Sequence, residues 1–72
     1  MKKYGAFLQN ERKARNISQA ELAKAIGVSQ VAIHYFESDK NEPRIGIIEK
    51  IADFYGITVD ELIGHEVKKN WE

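Results

Sequence analysis

The sequence predicts an all-α fold of five short helices in one domain, and three observations carry that prediction. The pattern Ser/Thr-x-x-Glu occurs at Ser18 to Glu21 and again at Thr58 to Glu61. Each is a capping box, in which hydroxyl and carboxylate exchange hydrogen bonds with backbone N–H groups at a helix start. Gly27, Gly56 and Gly64 stand where helices must end, and glycine takes the left-handed closing conformation at little steric cost. Between these signals the apolar residues recur three and four apart, the helical period. Five helices in a chain of 72 residues leave no room for a sheet.

The first helix is expected over residues 4–15, with Tyr4, Phe7 and Leu8 turned inward, Ala14 a further inward candidate, and Lys2, Lys3, Lys13 and Arg15 outside. The second opens at Ser18 and places Leu22, Ala23 and Ile26 on one face before Gly27. Only Val28 intervenes before Ser29, whose hydroxyl can cap a third helix. Helix, glycine turn and helix at this spacing form a helix-turn-helix signature. In the third helix Ile33 and Phe36 face inward together. At about 100° per residue Val31 points roughly opposite Ile33, so Gln30, Val31, His34, Tyr35 and Ser38 share the outer stripe. A loop, SDKNEPR (38–44), leads to a fourth helix over residues 44–55, started near Pro43. Its inward stripe is Ile45, Ile48, Ile51, Ala52 and Tyr55, with Ile47 and Phe54 surplus to it. Val59, Leu62 and Ile63 line a short fifth helix, and the tail HEVKKNWE (65–72) has no strong period. The chain thus divides into a domain over residues 1–64 and a tail over 65–72.

An ordinary solvated helix face carries Lys and Glu. The outer stripe of the third helix instead carries amide, imidazole and hydroxyl groups with one small apolar side chain. That mixture suits the DNA major groove, which displays donors, acceptors and thymine methyls. Composition bounds the alternatives. With no cysteine, disulfides and thiolate metal sites are excluded and a reducing compartment fits. No run of about 18 apolar residues and no signal-peptide pattern exists, so a cytoplasmic protein is expected. The net charge of zero speaks against a nucleic-acid partner. Its distribution answers the objection: residues 1–26 hold six Lys/Arg against two acids, whereas 45–66 hold only Lys50 against Glu49, Asp53, Asp60, Glu61 and Glu66. A basic front and an acidic rear can bind phosphate while the total cancels.

Arg12, ISQAELAKAIGVSQ (17–30), Ile33, Glu37, Pro43 and IADFYGITVDELI (51–63) together resemble the Cro/repressor-type (Xre-like) helix-turn-helix family, over residues 4 to 64 or nearly the whole chain. The resemblance implies a compact five-helix repressor-like DNA-binding domain whose third helix lies in the major groove, and dimers that read two half-sites of a palindromic operator in double-stranded DNA. It also implies that Arg12 bridges to Glu37, fixing the angle between their helices; a frayed surface pair is the bland alternative. Gln30, Val31, His34 and Tyr35 become base-contact candidates. Gln30 can bond adenine at two atoms, Val31 can meet a thymine methyl, and Tyr35 can instead lie along the sugar-phosphate backbone. Gln19, Ser29, Lys40, Asn41 and Arg44 are phosphate-contact candidates, each against the alternative of a solvated polar side chain. Ile47, Phe54, Leu62, Ile63 and Trp71 are candidates for a homodimer surface, unless they complete the core. Two departures stand out. Glu11 replaces an aliphatic residue common before the arginine, and Asp39 replaces a frequent glycine.

The leading expectation is a sequence-specific transcriptional regulator, a repressor of bacterial or phage origin by resemblance, without cofactor or metal. The alternative is a protein-interaction module on the same fold, such as an antitoxin or antirepressor. An enzyme is disfavoured: there is no cysteine nucleophile, no phosphate-cradling glycine loop, and His34 and His65 lack the spacing of a metal pair.

Overall fold

The computed structural model describes residues 4–64. The elements run α1 (Gly5–Ala14), α2 (Gln19–Ile26), α3 (Gln30–Glu37), α4 (Ile45–Tyr55) and α5 (Val59–Leu62), with no strand among the described residues. Lys2, Lys3, His65 and Trp71 lie outside them. None of the described helices is long and apolar enough to cross a membrane.

The start and stop signals act as their chemistry dictates. Ser18 Oγ accepts from the Glu21 N–H at 3.0 Å while Glu21 Oε1 accepts from the Ser18 N–H at 2.7 Å. Thr58 and Glu61 repeat the exchange at 3.0 and 2.8 Å. Ser29 Oγ accepts from the Ala32 N–H at 3.1 Å and so starts α3. Gly27 closes α2 at φ +79°, the left-handed value that lets the chain reverse into α3. Around these ends the core assembles from Leu8, Leu22, Ala23, Ile26, Ile33, Ile48, Ile51, Ala52 and Leu62. Helix α2 packs on α3 and α4, α1 packs on α3 and α5, and α4 packs on α5. Leu22, Ile33, Ile51 and Leu62 are the largest fully buried side chains, each contributing about 1.5–3 kcal/mol of transfer free energy.

Two helices depart from their apolar pattern, one by rotation and one at its first residue. In α1 the buried line is Gly5, Leu8 and Arg12, while Phe7 is 41% exposed and Ala14 is exposed. In this phase Arg12 reaches Glu37 on α3. Gly5 permits it, because a Cβ there would stand 2.3 Å from the Glu37 carbonyl oxygen. In α4 Ile48, Ile51 and Ala52 are buried and Tyr55 is half-buried, but Ile45 is 62% exposed. Helical side chains lean toward the N-terminus, so a residue in the first position overhangs the helix start rather than the core. Pro43 is the buried residue just ahead of it, and Ile47 packs against the core instead.

Among the dimer candidates, one needs correction. Leu62 is 0% exposed, a core residue rather than a surface one, and Ile47 and Ile63 pack against the core as well. Phe54 remains 48% exposed. Trp71 lies outside the described residues.

Candidate nucleic-acid interface

Helix α3 is held from within by a buried ion pair. Arg12 Nε donates to Glu37 Oε2 at 2.6 Å and Nη2 to Oε1 at 3.0 Å, while Nη1 donates to the Ile17 carbonyl at 2.7 Å. Both side chains are buried. The fork therefore spans three elements: α1, the α1–α2 turn and the last residue of α3. Its planar bidentate fit gives direction as well as attraction. The hydrogen bond to Glu37 raises the Arg12 pKa above its ordinary value, against the opposing effect of burial. Loss of either partner would leave an unpaired buried charge.

Gln19 carries this pair toward the surface. Its Nε2 donates to Glu37 Oε1 at 3.0 Å, so one amide proton of a residue expected to meet phosphate is already used internally. The rest of Gln19 lines an open groove of about 500 Å³ together with Gln30, Val31, His34 and Tyr35. All the base-contact candidates thus share one groove with Gln19. Gln30, Val31, His34 and Tyr35 are each exposed, Val31 at 58%. The His34 and Tyr35 rings lie side by side, centroids 5.9 Å apart and tilted 48°.

The remaining candidates border this surface without lining the groove. Ser29 is exposed at the start of α3, its oxygen engaged by the Ala32 N–H. Lys40, Asn41 and Arg44 are exposed in the loop between α3 and α4. That loop turns its backbone donors inward: Ser38 N bonds His34 O, Asp39 N bonds Phe36 O, and Lys40 N and Asn41 N both bond Tyr35 O. Contacts from Lys40 and Asn41 to an anion must then come from their side chains. Asp39 takes the left-handed φ of +63°, and its Oδ1 accepts from the Gly5 N–H at 3.0 Å, a bond between residues 34 positions apart that no local pattern announces.

The basic front is thinner than the charge count suggests. Arg12 is spent on Glu37. Arg15 Nη1 bonds Glu11 Oε1 at 2.7 Å, and its guanidinium sits 4.3 Å from the centre of the Tyr55 ring. Glu11, the departure noted in α1, thereby becomes half of an i, i+4 pair. The Tyr55 hydroxyl beneath is buried without a hydrogen-bond partner among the described residues. Burial pushes its phenol pKa up, against the pull of Arg15 and Arg12.

The geometry has counterparts in known proteins. A helix-turn-helix family model matches residues 8–62. The cryptic phage CTXphi transcriptional repressor RstR of Vibrio cholerae is 42% identical over 57 residues, 79% of this chain and 51% of that protein. The transcriptional activator BcrR of Enterococcus faecalis is 37% identical over 59 residues, 82% of this chain and 29% of that protein. This chain therefore spans about half, or less, of the length of these curated relatives. Among solved structures, the P22 c2 repressor in complex with a synthetic operator superposes with a TM-score of 0.79 at 29% identity, covering 92% of this chain and 100% of that one.

Proposed function

The chain belongs to the helix-turn-helix family, and from that premise we propose that it is a sequence-specific DNA-binding transcriptional regulator acting in the cytoplasm of a bacterium or on behalf of a phage. The observation that carries this reading is the single groove formed by Gln19, Gln30, Val31, His34 and Tyr35 on the outer side of α3. The P22 c2 repressor, which shares the fold, was solved on an operator, and RstR is named a repressor. BcrR is named an activator, so the domain occurs in regulators of both directions.

In this reading α3 enters the major groove. Gln30 bonds a base edge, with Val31 against a thymine methyl and His34 and Tyr35 extending the contact. Gln19, Ser29, Lys40, Asn41 and Arg44 take phosphates and fix the register. A single helix of eight residues reads few base pairs. A homodimer on a palindromic operator doubles the footprint, with exposed Phe54 and half-buried Ile47 and Ile63 as candidates for its surface.

Selection of bound sequences from a random duplex library, with salt-dependent retention as the readout, tests the proposal. Two related half-sites separated by about one helical turn are expected. No retention of any duplex at low salt would reject it in favour of a protein-interaction module, since phosphate contact makes binding salt-dependent.

A further inference from the structure

The loop after α3 carries a charge that a phosphate-facing segment would be better without. Asp39 is the immediate neighbour of Lys40, yet its carboxylate has a specific internal partner in the Gly5 N–H. That N–H is the first of α1, one of the donors a helix leaves unpaired, and Tyr4 at the local cap position supplies no side-chain bond to it. Partial positive charge at the helix start offsets the carboxylate. The approach depends on glycine, for a Cβ on residue 5 would lie 2.9 Å from Asp39 Oδ1 as well as against the Glu37 carbonyl.

Because the turn spends its backbone donors on α3, the bearing of the exposed Lys40 and Asn41 side chains depends on how the turn is anchored. Resting on the DNA-binding reading above, we infer that Asp39 is a positioning residue for the phosphate-contacting loop. By capping α1 from a distance it ties the loop to the body of the domain. It also keeps its own charge on the helix start, and Lys40 and Asn41 are left to grip phosphate.

The test compares Asp39→Asn with Asp39→Gly in the full chain. Both remove the charge, and both residues tolerate left-handed backbone; only asparagine keeps an acceptor for Gly5. Affinity for a duplex selected by the unsubstituted chain is measured from about 50 to 200 mM salt, at a temperature where both variants are folded. Asp39→Asn is expected to bind roughly fivefold tighter than Asp39→Gly. Its salt slope should be steeper by about one unit, and its Gly5 amide alone should be protected from hydrogen exchange. Equal affinity and slope in the two variants overturns the inference and leaves Asp39 as a charge only. A lower melting temperature for Asp39→Gly with an unchanged slope also overturns it, leaving a cap without a binding role. Failure of the unsubstituted chain to bind any duplex is a separate result, seen before either variant is compared; it overturns the regulator reading and this inference with it.

Discussion

The inner and outer faces of α3 are built on opposite terms. On the inner face Ile33 is 1% exposed and Glu37 is locked by Arg12 and Gln19. On the outer face Gln30, Val31, His34 and Tyr35 stand in an open groove. One helix of eight residues thus divides into a half that determines where it sits and a half that adds nothing to the core. The division teaches how such a helix separates frame from surface: a substitution outside leaves the frame intact, and a substitution inside moves every groove-lining residue together.

The largest effect expected from breaking this division is at the ion pair. Glu37→Ala leaves the Arg12 guanidinium buried without its carboxylate and should destabilise the domain by about 3–5 kcal/mol. Urea unfolding followed by circular dichroism checks it, and DNA affinity should fall with stability. Full stability would overturn the structural role of the pair. A smaller and opposite signature is expected on the outer face. Gln30→Ala should change stability by no more than about 0.5 kcal/mol while discrimination among related operators drops by about 1–3 kcal/mol, read by competition binding. Lys40→Ala sharpens the contrast further. It should weaken all sequences alike and make the salt slope shallower by about one unit; a change in base preference would move Lys40 into the reading set.

The smallest effect lies beneath Arg15. Burial favours the neutral Tyr55 phenol, so the folded chain releases that proton at higher pH than the unfolded chain does. The stability this contributes is fully present below the ordinary tyrosine value near 10 and is lost as pH rises through the raised folded value. Tyr55→Phe should remove that alkaline decline. It also deletes a buried hydroxyl without a partner among the described residues, so at neutral pH the variant should match the parent or gain about 1 kcal/mol. Thermal melts at neutral pH and above pH ~10 measure both.

Much of this architecture was legible because it is local. Ser18 with Glu21, Thr58 with Glu61, and Gly27 each act within a few residues, so a linear pattern reports them. The outward strip of α3 followed from helical phase, and the Arg12 to Glu37 pair from the family resemblance. What the chain hid is long-range, a matter of rotation, or a matter of height along a helix. The Asp39 to Gly5 bond joins distant positions through a backbone donor, which leaves no residue-type signature at one end. Phe7 and Ala14 had the right period for burial, but the buried line of α1 runs through Gly5, Leu8 and Arg12 instead. Ile45 fitted the stripe of α4 in phase and missed the core in height. The burial of Leu62 depends on how α1, α4 and α5 meet, which no local pattern in the fifth helix reports.

Glu37 Oε1 is shared by Arg12 Nη2 and Gln19 Nε2, which gives the interior a means of remote adjustment. Lysine at position 12 would keep a cation yet lack the second prong of the fork, freeing the carboxylate to swing and the Gln19 amide to turn over. A change confined to the interior would then alter the groove wall that Gln19 forms beside Gln30 while every exposed residue of α3 stays the same.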